Sequence, residues 1–435
     1  MNSARDTPSR SDNRSPLFFS LVLIGVAFAA MMVTADPTPS MSRKLFGLWR
    51  GRDILLPVAC VFSAGALLAV TLSRNALLGY LASSITIFAC VAMLEFVGLV
   101  GLVSWPSLLV GPHLTTGSPG WERAPNLDVS GSSVQDMSTS WGLPAESVNF
   151  RYVTDRRGYR NHVDRAGAEV YLLGDSIVVA ALVPFEQTVT ALVESRLGVP
   201  VMQLALQGIG PQEQHQLFRE AQLDVRGRVV LQFIFEGNDL LDSRRARVAL
   251  SSPSPERPTP MRDRSFSNSV LLVLQRWTQP VHGAVALRTC EIGSERYAFG
   301  WVRDSFIGHE DEMTHITVAL ESFAAEVQAL GGRFAVVFVP TKLRVLGPQC
   351  KFPTTSEISD YHAHLSPLRE HLVTWSSRVR IPTMDLTEPL QESARSTRVP
   401  WFTLDTHWND IGHEVAATAL AKWIRAGTPC GEPCK

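Results

Sequence analysis

Four short blocks of this sequence carry side chains suited to acyl chemistry. Gly174-Asp175-Ser176 follows the apolar run Glu169–Leu173, and Gln207-Gly208-Ile209-Gly210-Pro211 follows Val199–Leu206. Glu236-Gly237-Asn238-Asp239 follows Arg228–Phe235, and Leu404-Asp405-Thr406-His407-Trp408-Asn409 lies near the C-terminus. A serine hydroxyl is a weak nucleophile until a base takes its proton. His407 can be that base, and Asp405, two residues earlier, can orient the imidazole and stabilise its charged form. The tetrahedral oxyanion then needs hydrogen-bond donors. The backbone N–H groups of Ser176 and Gly208 and the side-chain amide of Asn238 are the candidates. Gly208 suits a loop where backbone approaches a substrate closely. Each block alone is a common turn or cap. Their order, with each at a strand or helix boundary, is what points to one site. His413, six residues after His407, is a weaker base. It falls in the first turn of the last helix, where the positive end of the helix dipole disfavours an imidazolium.

The elements that must position these residues alternate. Strands are predicted at Glu169–Leu173, Val199–Leu206, Arg228–Phe235, Gly332–Val339 and Arg378–Asp385. Helices are predicted over Thr188–Leu197, Gln212–Gln222, Ile316–Leu330 and Ile411–Arg425, the last capped by Asn409 or Asp410. Strands alternating with helices imply a parallel sheet covered on both faces. In such sheets, sites form at the carboxyl ends of the strands, where three of the four blocks fall. Ser243–Glu312 breaks the rhythm and reads as an insertion, with an exposed loop at Ser251–Pro260 and a short helix at Ser269–Thr278.

The first 110 residues are of another kind. Leu17–Ala35 and Ile54–Leu72 are each 19 residues without a charge, and Ala76–Val110 carries only Glu95. A bilayer span needs about 20 apolar residues. The first two read as single spans. The third reads as one span of about Leu77–Val97, then an apolar stretch with Trp105 at headgroup depth. Leu17–Ala35 can equally be a cleaved signal, since Arg5, Arg10 and Arg14 precede it and Val33-Thr34-Ala35 resembles a cleavage site. Glu95 either has a function within the membrane or marks the interfacial end of its helix. The positive-inside rule gives no orientation: Arg5, Arg10, Arg14 and Arg74 stand against Arg43, Lys44, Arg50 and Arg52. Gly111–Asn149, rich in Gly, Ser, Pro and Thr, reads as a linker. The expected division is therefore a membrane region over 1–110, a linker over 111–149, a catalytic domain over 150–429 and a tail over 430–435.

The chain has 435 residues, a net charge of −1 and only 19% charged residues, against 45% apolar. Near-neutrality argues against a nucleic-acid partner. Disorder is excluded, and the apolar excess fits a protein partly in lipid. Cys60 and Cys90 lie in apolar spans. Cys290, Cys350, Cys430 and Cys434 form an even set without CxxC spacing, which leaves room for two disulfides and argues against zinc. His362 and His364 are two apart on an expected helix and share no face. His309-Glu310 and His315 lack HExxH spacing. No metal and no cofactor are expected.

The four blocks resemble those of the SGNH (GDSL-like) hydrolases. They read GDSI at Gly174–Ile177, LQGIGPQEQ at Leu206–Gln214, EGNDL at Glu236–Leu240 and LDTHWNDIGH at Leu404–His413. Thr154–Arg160 is similar to the lead-in of membrane-associated bacterial members. The resemblance implies N-terminal transmembrane helices joined to a flavodoxin-like three-layer α/β/α domain with a parallel sheet. It implies Ser176 as nucleophile, His407 as base, Asp405 as its partner, and Gly208 and Asn238 in the oxyanion hole. The tight Asp405-x-His407 spacing followed by Trp408, and Val339-Pro340-Thr341-Lys342, are similar to the periplasmic alginate O-acetylation proteins of that superfamily. Gln203 stands where many members have Asn.

The expected activity is that of a membrane-anchored serine esterase acting on O-acyl groups of cell-envelope glycans or lipids. The alternatives are an O-acyltransferase to an envelope polysaccharide and a non-catalytic glycan-binding subunit. The expected setting is a bacterial inner membrane with the C-terminal domain outside the cytoplasm. The expected partners are the lipid bilayer, an acylated glycan or small ester, and a membrane acyl-donor protein.

Overall fold

A computed structural model describes residues 14–35, 45–46, 48–49, 51–100, 102–103, 105, 108–109, 125–137, 147–162, 167–251, 265–278, 288–302, 310–396 and 398–427. The chain divides into two compact units, one of residues 1–111 and 259–284 and one of residues 112–258 and 285–435. Cys430 and Cys434 lie outside the described residues, as does most of the loop read at Ser251–Pro260.

Among the described residues of the first unit, three helices are long and apolar enough to cross a membrane: Pro16–Thr34, Arg52–Leu72 and Arg74–Leu99. The third is longer than the span read from the sequence. Small and hydroxylated residues let the helices approach. The Ser20 hydroxyl donates to the Ala64 carbonyl at 3.1 Å, and the Tyr80 hydroxyl donates to Phe62 O at 2.8 Å. Glu95, near the end of the third helix, has a specific structural task. Its carboxylate accepts from the backbone N–H groups of Phe266 (2.9 Å) and Ser267 (2.8 Å) and from the Ser265 hydroxyl (3.1 Å). It thereby caps the helix Phe266–Thr278 from another element. Trp105 packs edge-on against Phe266, with ring centroids 5.0 Å apart.

The second unit opens with β1 (Asp128–Val134) and β2 (Ser147–Val153), an antiparallel pair in which Asp128 faces Val153. This overturns part of the linker reading of 111–149. The strand was hidden because DVSGSSV has no sustained apolar face, and its pairing with β2 holds it. Three parallel strands follow: β3 (Val170–Gly174), β4 (Val201–Ala205) and β5 (Val229–Phe235). The hairpin of β6 (Thr289–Ile292) and β7 (Glu295–Ala298) precedes β8 (Arg333–Val339) and β9 (Thr383–Asp385). The central sheet has the order β4-β3-β5-β8-β9, all parallel. β9 is far shorter than Arg378–Asp385, because helix Leu368–Val379 runs into that stretch.

Side chains alternate across the sheet, as the strand period requires. Val170, Leu172, Leu231, Phe233, Ala335 and Val337 face one buried cluster with the helices Val189–Leu197, Thr387–Arg395 and Asp410–Arg425. Tyr171, Leu173, Val230, Ile234, Phe334 and Val336 face the other, with Pro211–Ala221, Glu310–Ala329 and Leu368–Val379. These are the three layers expected for a sheet buried on both faces. The strand order is the flavodoxin-like one, whose switch point lies between β3 and β5.

Cys290 of β6 forms a disulfide with Cys350, 60 residues on, with Cα atoms 5.4 Å apart. Beside it Glu291 and Lys351 exchange two backbone hydrogen bonds of 3.0 Å. A loop of this size closed covalently stabilises a fold by roughly 2–4 kcal/mol. Cys350→Ser is therefore expected to lower the unfolding free energy of the second unit by that much, read as a lower urea midpoint. An unchanged midpoint in the full-length protein would show that the ladder at Glu291 holds the hairpin alone.

Candidate functional site

Ser176 begins the short helix Ser176–Val179 directly after β3. Asp175 is its N-cap, accepting from Ile177 N–H at 3.0 Å. The other end is held from the lead-in segment. The buried Arg160 donates to Val179 O (2.8 Å), to Val183 O (2.6 Å) and to Ala180 O. A guanidinium on carbonyls at a helix C-terminus satisfies acceptors that the helix leaves open.

His407 arrives from the opposite end of the chain. Its Nε2 lies 2.8 Å from Ser176 Oγ, across 231 residues of sequence, and its Nδ1 lies 2.6 Å from Asp405 Oδ1. Asp405 Oδ1 also accepts the His407 backbone N–H at 2.9 Å. Burial alone would raise the Asp405 pKa. The charge of His407 and the donors around the carboxylate outweigh it and hold the pKa below the usual value. An ionised Asp405 accepts only, so Nδ1 carries the hydrogen and Nε2 is left to accept from the serine. Burial disfavours a charged His407, but Asp405, then Asp136 and Asp175, reverse this and push it up to about 9.

The loop bearing Asp405 and His407 is fixed from several sides. Trp401 and Trp408 form an antiparallel bridge, and Trp401 Nε1 donates to Thr406 O at 3.2 Å. Asn409 accepts from Gly412 N–H and so caps the last helix. Its Nδ2 donates to Val399 O (2.9 Å) and Trp401 O (3.2 Å). Lys342, just after β8, is buried and donates from Nζ to the carbonyls of Phe402 (2.7 Å), Thr403 (2.8 Å) and Asp405 (3.2 Å). Burial lowers its pKa to about 7, against the pull of Asp405 and Asp136.

From the third side come residues that sequence reasoning placed in a linker. Gln135 Oε1 accepts from Leu404 N–H (2.5 Å) and the Thr403 hydroxyl (3.3 Å), and Met137 N–H donates to Leu404 O (3.1 Å). Asp136 N–H donates to Asp405 Oδ2 at 2.7 Å. Its carboxylate accepts from the Thr406 N–H (3.1 Å) and hydroxyl. No local signal marks a residue whose partners are about 270 positions away. Only the strand before it offered a clue, and its polarity hid that.

Gly208 sits in the turn after β4 with φ +65°, the left-handed region that favours glycine, and a Cβ there would meet nothing. Asn238, after β5, donates from Nδ2 to Asp242 Oδ2 at 2.5 Å, and its Oδ1 is buried without a hydrogen-bond partner. Asp175, Asp239 and Asp242 are all buried nearby, and burial raises the pKa of each. The structure therefore brings Ser176, His407 and Asp405 into one hydrogen-bonded chain. It places Gly208 and Asn238 in the turns at the ends of the neighbouring strands, with the Asn238 amide turned towards an acidic cluster. Gln203 lies inside β4, where Asn161 Oδ1 accepts its backbone N–H at 3.0 Å.

Among the described residues, only Asp136, Asp405 and His407 bring three ligand-type atoms within 4.8 Å of one another. Both imidazole nitrogens of that set are engaged, one with Asp405 and one with Ser176. His362 and His364 lie in a single 3-10 turn. His413 is buried, accepts from Val189 N–H at 3.3 Å through Nδ1 and packs edge-on against Trp408. Glu414 turns away to Arg398 at 2.5 Å.

A parallel sheet of flavodoxin-like order, with the serine, glycine, asparagine and Asp/His blocks at its carboxyl end, defines an SGNH-hydrolase-like enzyme domain. Residues 302–433 match the family model described as the SGNH hydrolase-like domain of the acetyltransferase AlgX. The match takes in Lys342, Asp405 and His407 and begins after Ser176, Gly208 and Asn238. Among solved structures the chain is similar to the acetyl xylan esterase AlAXEase, at 12% identity over 59% of this chain and 98% of that one, with a TM-score of 0.33. It is also similar to a carbohydrate esterase family 2 enzyme of Corynascus thermopiles, at 16% identity over 61% and 68%, TM-score 0.30. A third is an acetyl xylan esterase from the rumen bacterium Butyrivibrio proteoclasticus, at 10% identity over 65% and 72%, TM-score 0.28. No curated protein matches the chain.

Burial, with the charges of Arg160 and His407, lowers the His413 pKa to about 3. Below pH 6.5 the unfolded chain takes a proton that the folded imidazole refuses until about pH 3. His413→Ala removes that penalty along with the packing. Its stability deficit against wild type is therefore expected to shrink as the pH falls from 7 to 5, by up to about 1.4 kcal/mol per pH unit. A deficit independent of pH in urea titrations would mean that His413 is solvated in the folded state.

Proposed function

We propose that the chain is a membrane-anchored serine esterase acting on O-acyl groups of cell-envelope glycans or lipids through an acyl-serine intermediate. The observation that carries this is the unbroken chain from Asp405 through His407 to Ser176, at 2.6 and 2.8 Å. In the proposed reaction, the Ser176 hydroxyl gives its proton to His407 Nε2 and Oγ attacks the ester carbonyl. The oxyanion is received by the N–H groups of Ser176 and Gly208 and by the Asn238 amide. The alkoxy group leaves with the proton from His407, and Ser176 holds the acyl group. Water then attacks, His407 takes its proton, and the acid departs as the serine is restored.

The family match favours a second reading, in which a sugar hydroxyl replaces water and the acyl group moves to an envelope polysaccharide. A membrane acyl-donor partner belongs to that reading. The three apolar helices support anchoring in a bacterial inner membrane, and the Cys290–Cys350 bond supports an oxidising, extracytoplasmic setting for the catalytic unit. A periplasm-dependent reporter fused after Lys435 is expected to be active; activity only for a cytoplasmic reporter would overturn that location.

Full-length protein in detergent is expected to be labelled by a fluorophosphonate, and Ser176→Ala is not. On a small acetyl ester, His407→Ala should lose about 10⁴–10⁶ in kcat, whereas His413→Ala keeps most of its activity per folded molecule. Asn238→Ala should lose about 10²–10³ if its amide reaches the oxyanion, and far less if it serves only Asp242. Because the base must be neutral and its pKa is raised, kcat/KM should fall on acidification with a midpoint well above 6.5. Adding a glycan acceptor decides between the readings. Acetyl appearing on the glycan with slow hydrolysis supports transfer, and fast turnover in water alone supports the esterase. Glycan binding without turnover and equal labelling of Ser176→Ala would leave a binding subunit.

A further inference from the structure

Asp136 stands beside the same imidazole nitrogen as Asp405. Its Oδ2 lies 3.8 Å from His407 Nδ1, where Asp405 Oδ1 lies 2.6 Å away. Its backbone N–H holds the second oxygen of Asp405, and its carboxylate holds the backbone N–H and hydroxyl of Thr406, the residue between Asp405 and His407. Gln135 and Met137 on either side bond the backbone of Leu404. Three consecutive residues of one segment thus engage four consecutive residues, Thr403 to Thr406, of the other.

We propose that Asp136 is a positioning residue of the base: it fixes the Asp405–His407 loop and places a second carboxylate beside the imidazole. This rests on the serine-hydrolase reading and adds to it a residue supplied by the β1–β2 hairpin. The two tasks are separable. The hydrogen bond to Asp405 comes from the Asp136 backbone and survives any side-chain change. The grip on Thr406 uses both carboxylate oxygens, and an amide keeps it in part, with its oxygen accepting the N–H and its NH2 donating to the hydroxyl. The effect on His407 needs the charge. A carboxylate at this range favours the imidazolium that forms as Ser176 loses its proton. The other groups facing His407 are Asp405 on its own loop and Asp175 beside Ser176. Lys342 opposes from the end of β8, and the buried His413 of the last helix is neutral there. Burial and the neighbouring Asp405 raise the Asp136 pKa itself to about 7, so its charge is greatest on the alkaline side.

The test compares wild type, Asp136→Asn and Asp136→Ala as full-length proteins in detergent, with acetyl-ester kinetics across pH. Asp136→Asn loses the charge, keeps one acceptor for the Thr406 N–H, and offers its NH2 to the Thr406 hydroxyl, which can accept. Its kcat is expected to fall about tenfold with KM little changed, and the acid limb of kcat/KM to move down by about one pH unit. Asp136→Ala should lose more, because Thr406 is released as well. A second readout does not need turnover: the pH dependence of His407 acylation by diethyl pyrocarbonate, followed peptide by peptide. The His407 midpoint should drop in Asp136→Asn by the same amount. An unmoved midpoint in folded Asp136→Asn would overturn the proposal, whatever the activity. Absence of Ser176-dependent turnover in wild type, with the His407 midpoint still shifted, would overturn the hydrolase reading and leave the pairing of Asp136 with His407 standing.

Discussion

The imidazole of His407 joins two parts of the chain that nothing local connects. One nitrogen faces a serine at the end of β3, and the other faces a carboxylate two residues away in the last loop. A base misplaced by an ångström loses much of its effect, so the loop carrying it must be held more firmly than an ordinary surface loop. The structure meets that demand by surrounding residues 401–409. The tryptophan pair closes the loop on itself, Asn409 ties it to the last helix, Lys342 grips three carbonyls, and Gln135 to Met137 bond residues 403–406. The sheet contributes the other half of the geometry, because Ser176 follows β3 at the carboxyl end of the sheet, beside the switch point between β3 and β5.

These constraints are largely electrostatic, and they balance one another. Asp405 and Asp136 put negative charge around His407, and Lys342 returns positive charge beneath the same loop. Farther along the sheet edge, Glu236 is fully buried and paired with Arg344 at 2.5 Å, and it also accepts from Thr341 N–H at 2.8 Å. That pair anchors the turn after β5, which carries Asn238, to the segment after β8, which carries Lys342. Removing either partner of such a pair leaves an uncompensated buried charge, which costs more than the pair itself contributes. The base loop and the turn after β5 are therefore held by opposed charges, Lys342 beneath Asp405 and Arg344 on Glu236.

Much of the fold was legible because its signals are dense and local. VYLL, VVLQFIF and RFAVVFV are continuous apolar runs of the kind that a sheet covered on both faces demands, and each ends in a turn. The three N-terminal helices were legible for the same reason. The blocks around Ser176, Gly208, Asn238 and His407 could be read because each sits at such a boundary. β1 could not, since Ser130, Gly131, Ser132 and Ser133 give it no apolar face and its stability comes from pairing with β2. Asp136 was lost with it. β9 was overestimated because Arg378–Asp385 mixes a helix end with three strand residues. Glu95 was ambiguous because its partners at Ser265 to Ser267 lie about 170 residues away. Local pattern finds elements; it does not find the residue that one element lends to another.

In the proposed reaction the same site geometry would serve hydrolysis and transfer, and the choice between them would be made once the acyl-serine had formed. Both routes use His407 identically, once to deprotonate Ser176 and once to deprotonate the acceptor. The two routes differ only in which hydroxyl stands over the acyl carbonyl when the base is free. Bulk water is always present, whereas a held hydroxyl competes through its effective molarity, which for well-oriented groups reaches about 10⁵–10⁸ M. Transfer therefore needs no new catalytic residue. It needs a surface that binds a sugar beside Ser176 and keeps water from the carbonyl. Residues 300 and 301, in the stretch between β5 and β8, lie beside the asparagine turn and the base loop. Trp301 packs over Gly237, where a Cβ would lie 2.7 Å from its ring, and Gly300 lies against Thr406. These contacts tie residues 300 and 301 to the asparagine turn on one side and to the base loop on the other, so either proposed route would run beside them.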